Sequence, residues 1–317
     1  MADLILHHYP TSPFAEKVRL VLGYKQLAWK SVFIPPVMPK PDVLALTGGY
    51  RKTPILQIGA DIYCDTALIC NVLEHLTSGS TPSAALYPST HSGLARTVAQ
   101  WADETLFRAA MAYSISGSGV ADLFGAMPPA VGQAFAEDRK AMSANMPRLR
   151  PGDATSATRS YLRRLSDMLD GQPYLLGAAP CIADFAAYHP LWFIRTCTPS
   201  MAGILNATPA VLAWMDRMLA IGHGSPERFS AAQAIEAAAQ AGPATPLLPQ
   251  STLQDDHGIP LGSRVSVGGE AFGPETTEGE LVAATRMHYT VLRTDERAGT
   301  VRVHFPRIGY VLRKVTA

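Results

Sequence analysis

The sequence predicts three consecutive units: an α/β domain over residues 1–80, an all-α helical domain over 90–245, and a small C-terminal all-β module over 255–317. Three observations carry this. Up to about residue 76, short apolar runs alternate with helical patterns, as in an α/β layer. From Ser92 to about Gln240, apolar residues step at helical spacing. Past Gly242-Pro243-Ala244-Thr245-Pro246 the helical step stops, and short β-rich runs replace it.

The first apolar run, Leu4 to Leu6, predicts a strand that takes in His7 and His8. Tyr9-Pro10-Thr11-Ser12-Pro13-Phe14-Ala15-Glu16-Lys17-Val18-Arg19 then turns into a helix whose amphipathic body is Val18 to Leu22. Ser12 stands at the N-cap position, and Pro13 lies in the first turn, where a missing N–H costs nothing. Pro35-Pro36-Val37-Met38-Pro39-Lys40-Pro41 is too proline-rich for helix or strand and predicts an extended loop. Lys52-Thr53-Pro54 leads into a strand, Ile55-Leu56-Gln57, and Ile62-Tyr63-Cys64 is a further strand ending in a helix capped by Asp65-Thr66. Residues 77–90 read as a linker.

In the helical domain, Leu94, Val98, Trp101 and Thr105 mark the first long helix, and Ala134, Asp138 and Met142 continue the step less cleanly. Tyr161, Leu165, Met168 and Leu169 form another stripe. Thr208-Pro209 supplies an N-cap and a first-turn proline ahead of Val211, Trp214, Met215 and Met218. In the tail, 264–267, 280–284, 288–292 and 300–305 read as strands, with a hairpin turn at 295–299.

Composition narrows the function. The 317 residues carry a net charge of +1, and residues 255–317 hold eight Lys/Arg against eight Asp/Glu, so there is no nucleic-acid footprint and no call on acidic lipid. The four cysteines, Cys64, Cys70, Cys181 and Cys197, form no Cys-x-x-Cys pair and show no metal spacing; His288 and His304 show none either. There is no signal-peptide pattern and no apolar run long enough to span a bilayer. The expectation is a reduced, cytoplasmic protein with no metal, membrane or nucleic-acid partner.

The order strand, Ser-capped helix, Thr-Pro strand, strand, Asp-Thr cap resembles the thioredoxin-like N-terminal domain of the glutathione S-transferase superfamily. The resemblance is close over residues 1–76, looser over 90–240, and absent from the tail. It implies an α/β thioredoxin-like domain plus an all-α helical domain, glutathione as co-substrate, a small hydrophobic electrophile, a role in detoxification and a homodimer. The position matching Cys181 usually carries Ser or Thr in that family, with an acid three residues on; here a thiol stands beside an intact Asp184, so half a capping box is expected, serving folding.

The resemblance also assigns roles. Free glutathione is mostly thiol at neutral pH, and its thiolate is the nucleophile. Ser12 would donate to the sulfur while the helix start adds favourable potential. A hydrogen bond to an ion is worth about 1.5–3 kcal/mol, enough for a shift of roughly one to two pKa units. Thr53-Pro54 would pair its backbone with the cysteinyl unit, and Asp65-Thr66 would hold the γ-glutamyl ammonium and carboxylate. Lys52 would reach the glycyl carboxylate or stay solvated. Tyr9 and Thr11 are rival thiol donors, and Ser12 could be a plain N-cap. Trp101, Phe107 and Tyr113 are candidates for the electrophile pocket or for core. The alternative to an enzyme is a non-catalytic transferase-like scaffold whose β module recognises a partner.

Overall fold

The computed structural model describes residues 2–77, 85–242, 247 and 256–315. Its N-terminal part forms β1 (Leu4–His8), α1 (Pro13–Tyr24), β2 (Ala28–Phe33), α2 (Pro41–Thr47), β3 (Ile55–Ile58), β4 (Asp61–Cys64) and α3 (Thr66–Leu76). β2 runs parallel to β1, β3 antiparallel to β1, and β4 antiparallel to β3, the expected thioredoxin-like layer. The pleat of β1 sends Leu4 and Leu6 into the core shared with α1, α3 and the helical domain, and Ile5 into a second core on the opposite face. The proline-rich loop ends one residue earlier than expected. Pro41 opens α2, a first-turn position that needs no N–H.

Residues 78–84, half of the expected linker, lie outside the described residues. Beyond them come α4 (Ser92–Trp101), a π-helical turn (Ala102–Leu106), α5 (Phe107–Ser114), α6 (Gly119–Phe124), α7 (Pro129–Met142), α8 (Pro151–Met168), α9 (Ile182–Trp192) and α10 (Pro209–Leu219). α9 is the axis of this domain, with every residue buried. The buried face of α4 and its continuation is Ala95, Ala99, Ala102 and Leu106, one residue on from the expected stripe; Leu94 is 54% exposed. Small residues take the inner face because α4 packs directly on α9, where Ala183, Ala186 and Ala187 allow close approach. Thr208 stands before α10, but its hydroxyl donates to the Leu205 carbonyl (3.1 Å) instead of capping. At α9 the capping box is complete: the Cys181 sulfur faces the third-residue N–H, and Asp184 Oδ2 accepts from the Cys181 N–H at 3.0 Å.

The chain leaves the helical domain before Gln240. β5 (Ser225–Arg228) pairs parallel with β2, and α11 (Ala231–Ala241) packs on α2 and β2. In the tail the four expected strands are present as β6 (Arg264–Gly269), β7 (Thr276–Ala284), β8 (His288–Asp295) and β9 (Gly299–Pro306), with β10 (Tyr310–Lys314) in addition. The β8–β9 turn is tied by Asp295 Oδ1, which accepts from the N–H groups of Arg297 (2.9 Å) and Ala298 (3.2 Å).

These strands continue the N-terminal sheet. β9 runs parallel to β4, with Asp61, Ile62 and Tyr63 opposite Arg302, Val303 and His304. One ten-stranded sheet results, in the order β10-β6-β7-β8-β9-β4-β3-β1-β2-β5. A buried polar cluster marks the seam. Asp61 Oδ2 accepts from Arg302 Nη2 and Oδ1 from His304 Nε2, both at 2.9 Å, while the His304 ring stacks on Tyr63 at 4.5 Å. Among the described residues no helix is long and apolar enough to cross a membrane, and no group of His, Cys, Asp and Glu could hold a metal ion.

Candidate active site

Ser12 lies 2% exposed at the head of α1, and its Oγ accepts from the Ala15 N–H at 3.3 Å. The same hydroxyl still has a proton to give, at the head of a twelve-residue helix whose positive dipole end adds to the field. The turn before it is clamped by Arg19, which donates to the carbonyls of Tyr9 (3.3 Å) and Pro10 (2.9 Å) and to His8 Nδ1 (3.1 Å). Glu16 Oε2 accepts from that guanidinium at 2.6 Å and holds it in place. Of the rival donors, Thr11 is exposed, while the Tyr9 hydroxyl accepts from Arg139 Nη2 of α7 at 3.2 Å.

The second segment is Lys52-Thr53-Pro54, where the Thr53–Pro54 bond is cis. Lys40, buried within the proline-rich loop, donates its ammonium to the Arg51 carbonyl (3.1 Å) and to Thr53 Oγ1 (3.4 Å). Burial first, then the charges of Arg139 and Arg51, bring the Lys40 pKa down to about 8. The Lys52 ammonium lies over two aromatic faces, 4.5 Å from the Tyr310 ring and 5.4 Å from the Tyr50 ring. Burial lowers its pKa against the pull of Asp65.

The third segment is Asp65-Thr66 at the head of α3. Asp65 adopts φ 73°, and its Oδ1 caps the helix by accepting from the Ala67 N–H at 2.9 Å. Thr66 Oγ1 accepts from Lys17 Nζ at 3.2 Å, and this ties the starts of α1 and α3 together. Lys17 is itself buried against Asp103 (2.5 Å), which also accepts from His189 Nε2 at 2.9 Å. Burial works against the Lys17 charge, but Asp103 outweighs it and holds the ammonium above the ordinary lysine range.

The aromatic candidates divide. Trp101 packs edge-on to Tyr161 and Tyr113 donates to the Met201 carbonyl (2.9 Å), so both serve the helical domain. Phe107 sits 4.6 Å from Phe14, two residues beyond Ser12, and both contact His189. Burial pushes the thiols of Cys70 and Cys181 up to about 12, which leaves them poor nucleophiles.

Several contributors were not singled out from sequence, among them Asp103 and His189 behind Lys17. Lys40 lay inside a run read only as loop. Arg139 comes from α7, and Tyr310 from the final strand. The Tyr310 hydroxyl donates to Asp65 Oδ2 at 3.1 Å. No local pattern could have linked position 310 to position 65. A groove of about 740 Å³ lies elsewhere, on the tail strands, and none of the predicted site residues lines it.

Residues 6–81 match the family model of the glutathione S-transferase N-terminal domain, and residues 129–217 that of the C-terminal domain. A solved GST-like protein from Pseudomonas syringae is 41% identical, covers 99% of this chain and 100% of its own, and superposes with a TM-score of 0.81. A glutathione S-transferase from Sinorhizobium meliloti 1021 is 15% identical over 68% of this chain and 88% of its own, with a TM-score of 0.53. For a poplar glutathione transferase the values are 13%, 69%, 92% and 0.51. The last two share the fold alone, while the Pseudomonas match runs on through the tail strands. No curated protein matches the chain significantly.

Proposed function

Because the chain belongs to the glutathione S-transferase superfamily, we propose that it is a glutathione-dependent transferase of the Ser type. The observation that carries the proposal is the Ser12 hydroxyl. It is fixed by one accepted hydrogen bond at the head of α1, and its proton is given to no protein acceptor among the described residues. Glutathione would lie along Thr53-Pro54, with its sulfur toward Ser12 and its γ-glutamyl end at Asp65 and Thr66. Lys40 and Lys52 are the cations beside Thr53 suited to the glycyl carboxylate.

The thiol proton leaves to solvent, and Ser12 donates to the resulting thiolate. The sulfur then forms a bond to a soft electrophilic carbon, whose leaving group departs with the bonding pair. The electrophile is small and hydrophobic, and Phe14 with Phe107 offers it an apolar wall. Two copies pairing as a homodimer, in the cytoplasm, complete the reading; sedimentation equilibrium checks the pairing.

Retention on immobilised glutathione and turnover of a generic electrophile test the proposal together. Ser12→Ala should lower kcat/KM by about 10- to 100-fold, the worth of one hydrogen bond to an anion, while glutathione still binds. Full turnover in that variant would move the donor role from Ser12 to a rival such as Tyr9 or Thr11, whereas wild-type protein without turnover would favour the scaffold reading. The polar groove lined by Arg264, Glu278, Glu280 and Arg293 is the surface available to a partner in that case.

A further inference from the structure

We infer that Tyr310, on the last strand of the tail, is a positioning and specificity residue of the tripeptide site: it aims the Asp65 carboxylate at the γ-glutamyl ammonium. This rests on the glutathione reading above. Asp65 is held by one tyrosine of the N-terminal part and one of the tail. Its backbone N–H donates to the Tyr50 hydroxyl at 3.1 Å, its Oδ1 caps α3, and its Oδ2 takes the Tyr310 hydroxyl at 3.1 Å. A carboxylate oxygen has two lone pairs, so Oδ2 keeps one for an incoming ammonium while Tyr310 fixes its direction.

The same ring keeps a competing cation away. Lys52 lies within electrostatic reach of Asp65, yet it forms no ion pair within 4.0 Å among the described residues. Its ammonium rests on the faces of Tyr310 and Tyr50. Asp65 is thereby left for a cation that a ligand brings.

Tyr310 can do this because the tail is built into the site. The residue is 5% exposed and packs on Phe305 (5.6 Å) and Tyr50 (6.3 Å). Glu275, ahead of β7, pairs with Arg51 at 2.6 Å, and Thr277 Oγ1 donates to the Thr47 carbonyl at 2.8 Å. A Cβ at Gly49 would fall 1.9 Å from the Thr276 carbonyl oxygen, so only glycine allows the loop before Thr53 to lie this close to β7. The tail strands and that loop therefore form one body.

The test is calorimetric titration of the full chain with glutathione and with its des-amino analogue, glutaryl-cysteinyl-glycine. Tyr310→Phe keeps the packed ring. It should weaken glutathione by about three- to tenfold while changing the analogue by less than about twofold, since the analogue has no ammonium for Asp65 to receive. Tyr310→Leu should show at least the same ammonium-selective loss, and adding Tyr310→Phe to Asp65→Asn should cost nothing further. Unchanged glutathione affinity in Tyr310→Phe, or equal weakening of both ligands, would overturn the inference alone. Wild-type protein that binds neither ligand would remove the glutathione reading and this inference with it.

Discussion

Lys40 is the residue on which pH acts most directly. Its pKa of about 8 lies below the value of about 10.4 for a free lysine, and burial is the main cause. Between those two values the unfolded chain holds a proton that the folded chain has lost, so stability rises with pH across that window. Anion binding runs the other way, because a neutral amine attracts no carboxylate. Affinity for S-methylglutathione, which lacks a free thiol, should fall by about tenfold from pH 7 to pH 9, and Lys40→Gln should flatten that dependence. An unaltered profile in Lys40→Gln would assign the titration to another group. The caps at Ser12 and Asp65 and the Thr53-Pro54 pair were legible because each carries a local signature of a helix start or a proline. Lys40 was not, since a lysine among prolines carries no pattern of its own and takes its meaning from the Thr53 hydroxyl folded against it.

Among the elements, α9 depends most on a single side chain. Asp184 accepts from the N–H groups of Leu175 (2.9 Å) and Cys181 (3.0 Å) and from the Trp214 indole N–H (2.9 Å). It joins the start of α9, the preceding loop and α10. Asp184→Ala strands three buried donors, so we expect a loss of about 3 kcal/mol and a Tm lower by roughly 5–10 °C, read by calorimetry. Glutathione affinity per folded molecule should stay the same, since Asp184 has no contact with the Ser12 or Asp65 segments. The box is expected from the family resemblance, but as half-formed, because a thiol is a weak cap in isolation. The apolar stripe of α4 was misplaced by one residue for a related reason: periodicity finds large side chains, whereas the contact with α9 selects alanines.

At the scale of the whole molecule, helical periodicity and β-rich runs made the classes of all three regions legible, and local pattern missed how they join. β5 and the tail strands extend the N-terminal sheet at opposite ends, and sheet pairing over such separations has no sequence signature. The seam at β4 is costly to expose. Asp61 is 3% exposed and relies on Arg302 and His304; replacing either partner within the intact sheet would leave that charge buried and short of a partner, at a cost of about 3–5 kcal/mol. A chain ending at Gly242 should therefore scatter light as aggregates instead of giving a soluble transferase body, because the β4 edge would lie open. A monodisperse, glutathione-binding fragment would show that the seam is dispensable.

The pairing of β4 with β9 also sets an order of events at the ribosome. Asp61 and Arg302 are 241 residues apart, a wait of roughly 10–50 s at ordinary elongation rates. Through that interval the nascent strand has no neighbour on one side, and the tyrosine that contacts Asp65 is translated later still. A product released before residue 310 lacks that hydroxyl, so its Asp65 carboxylate loses that donor.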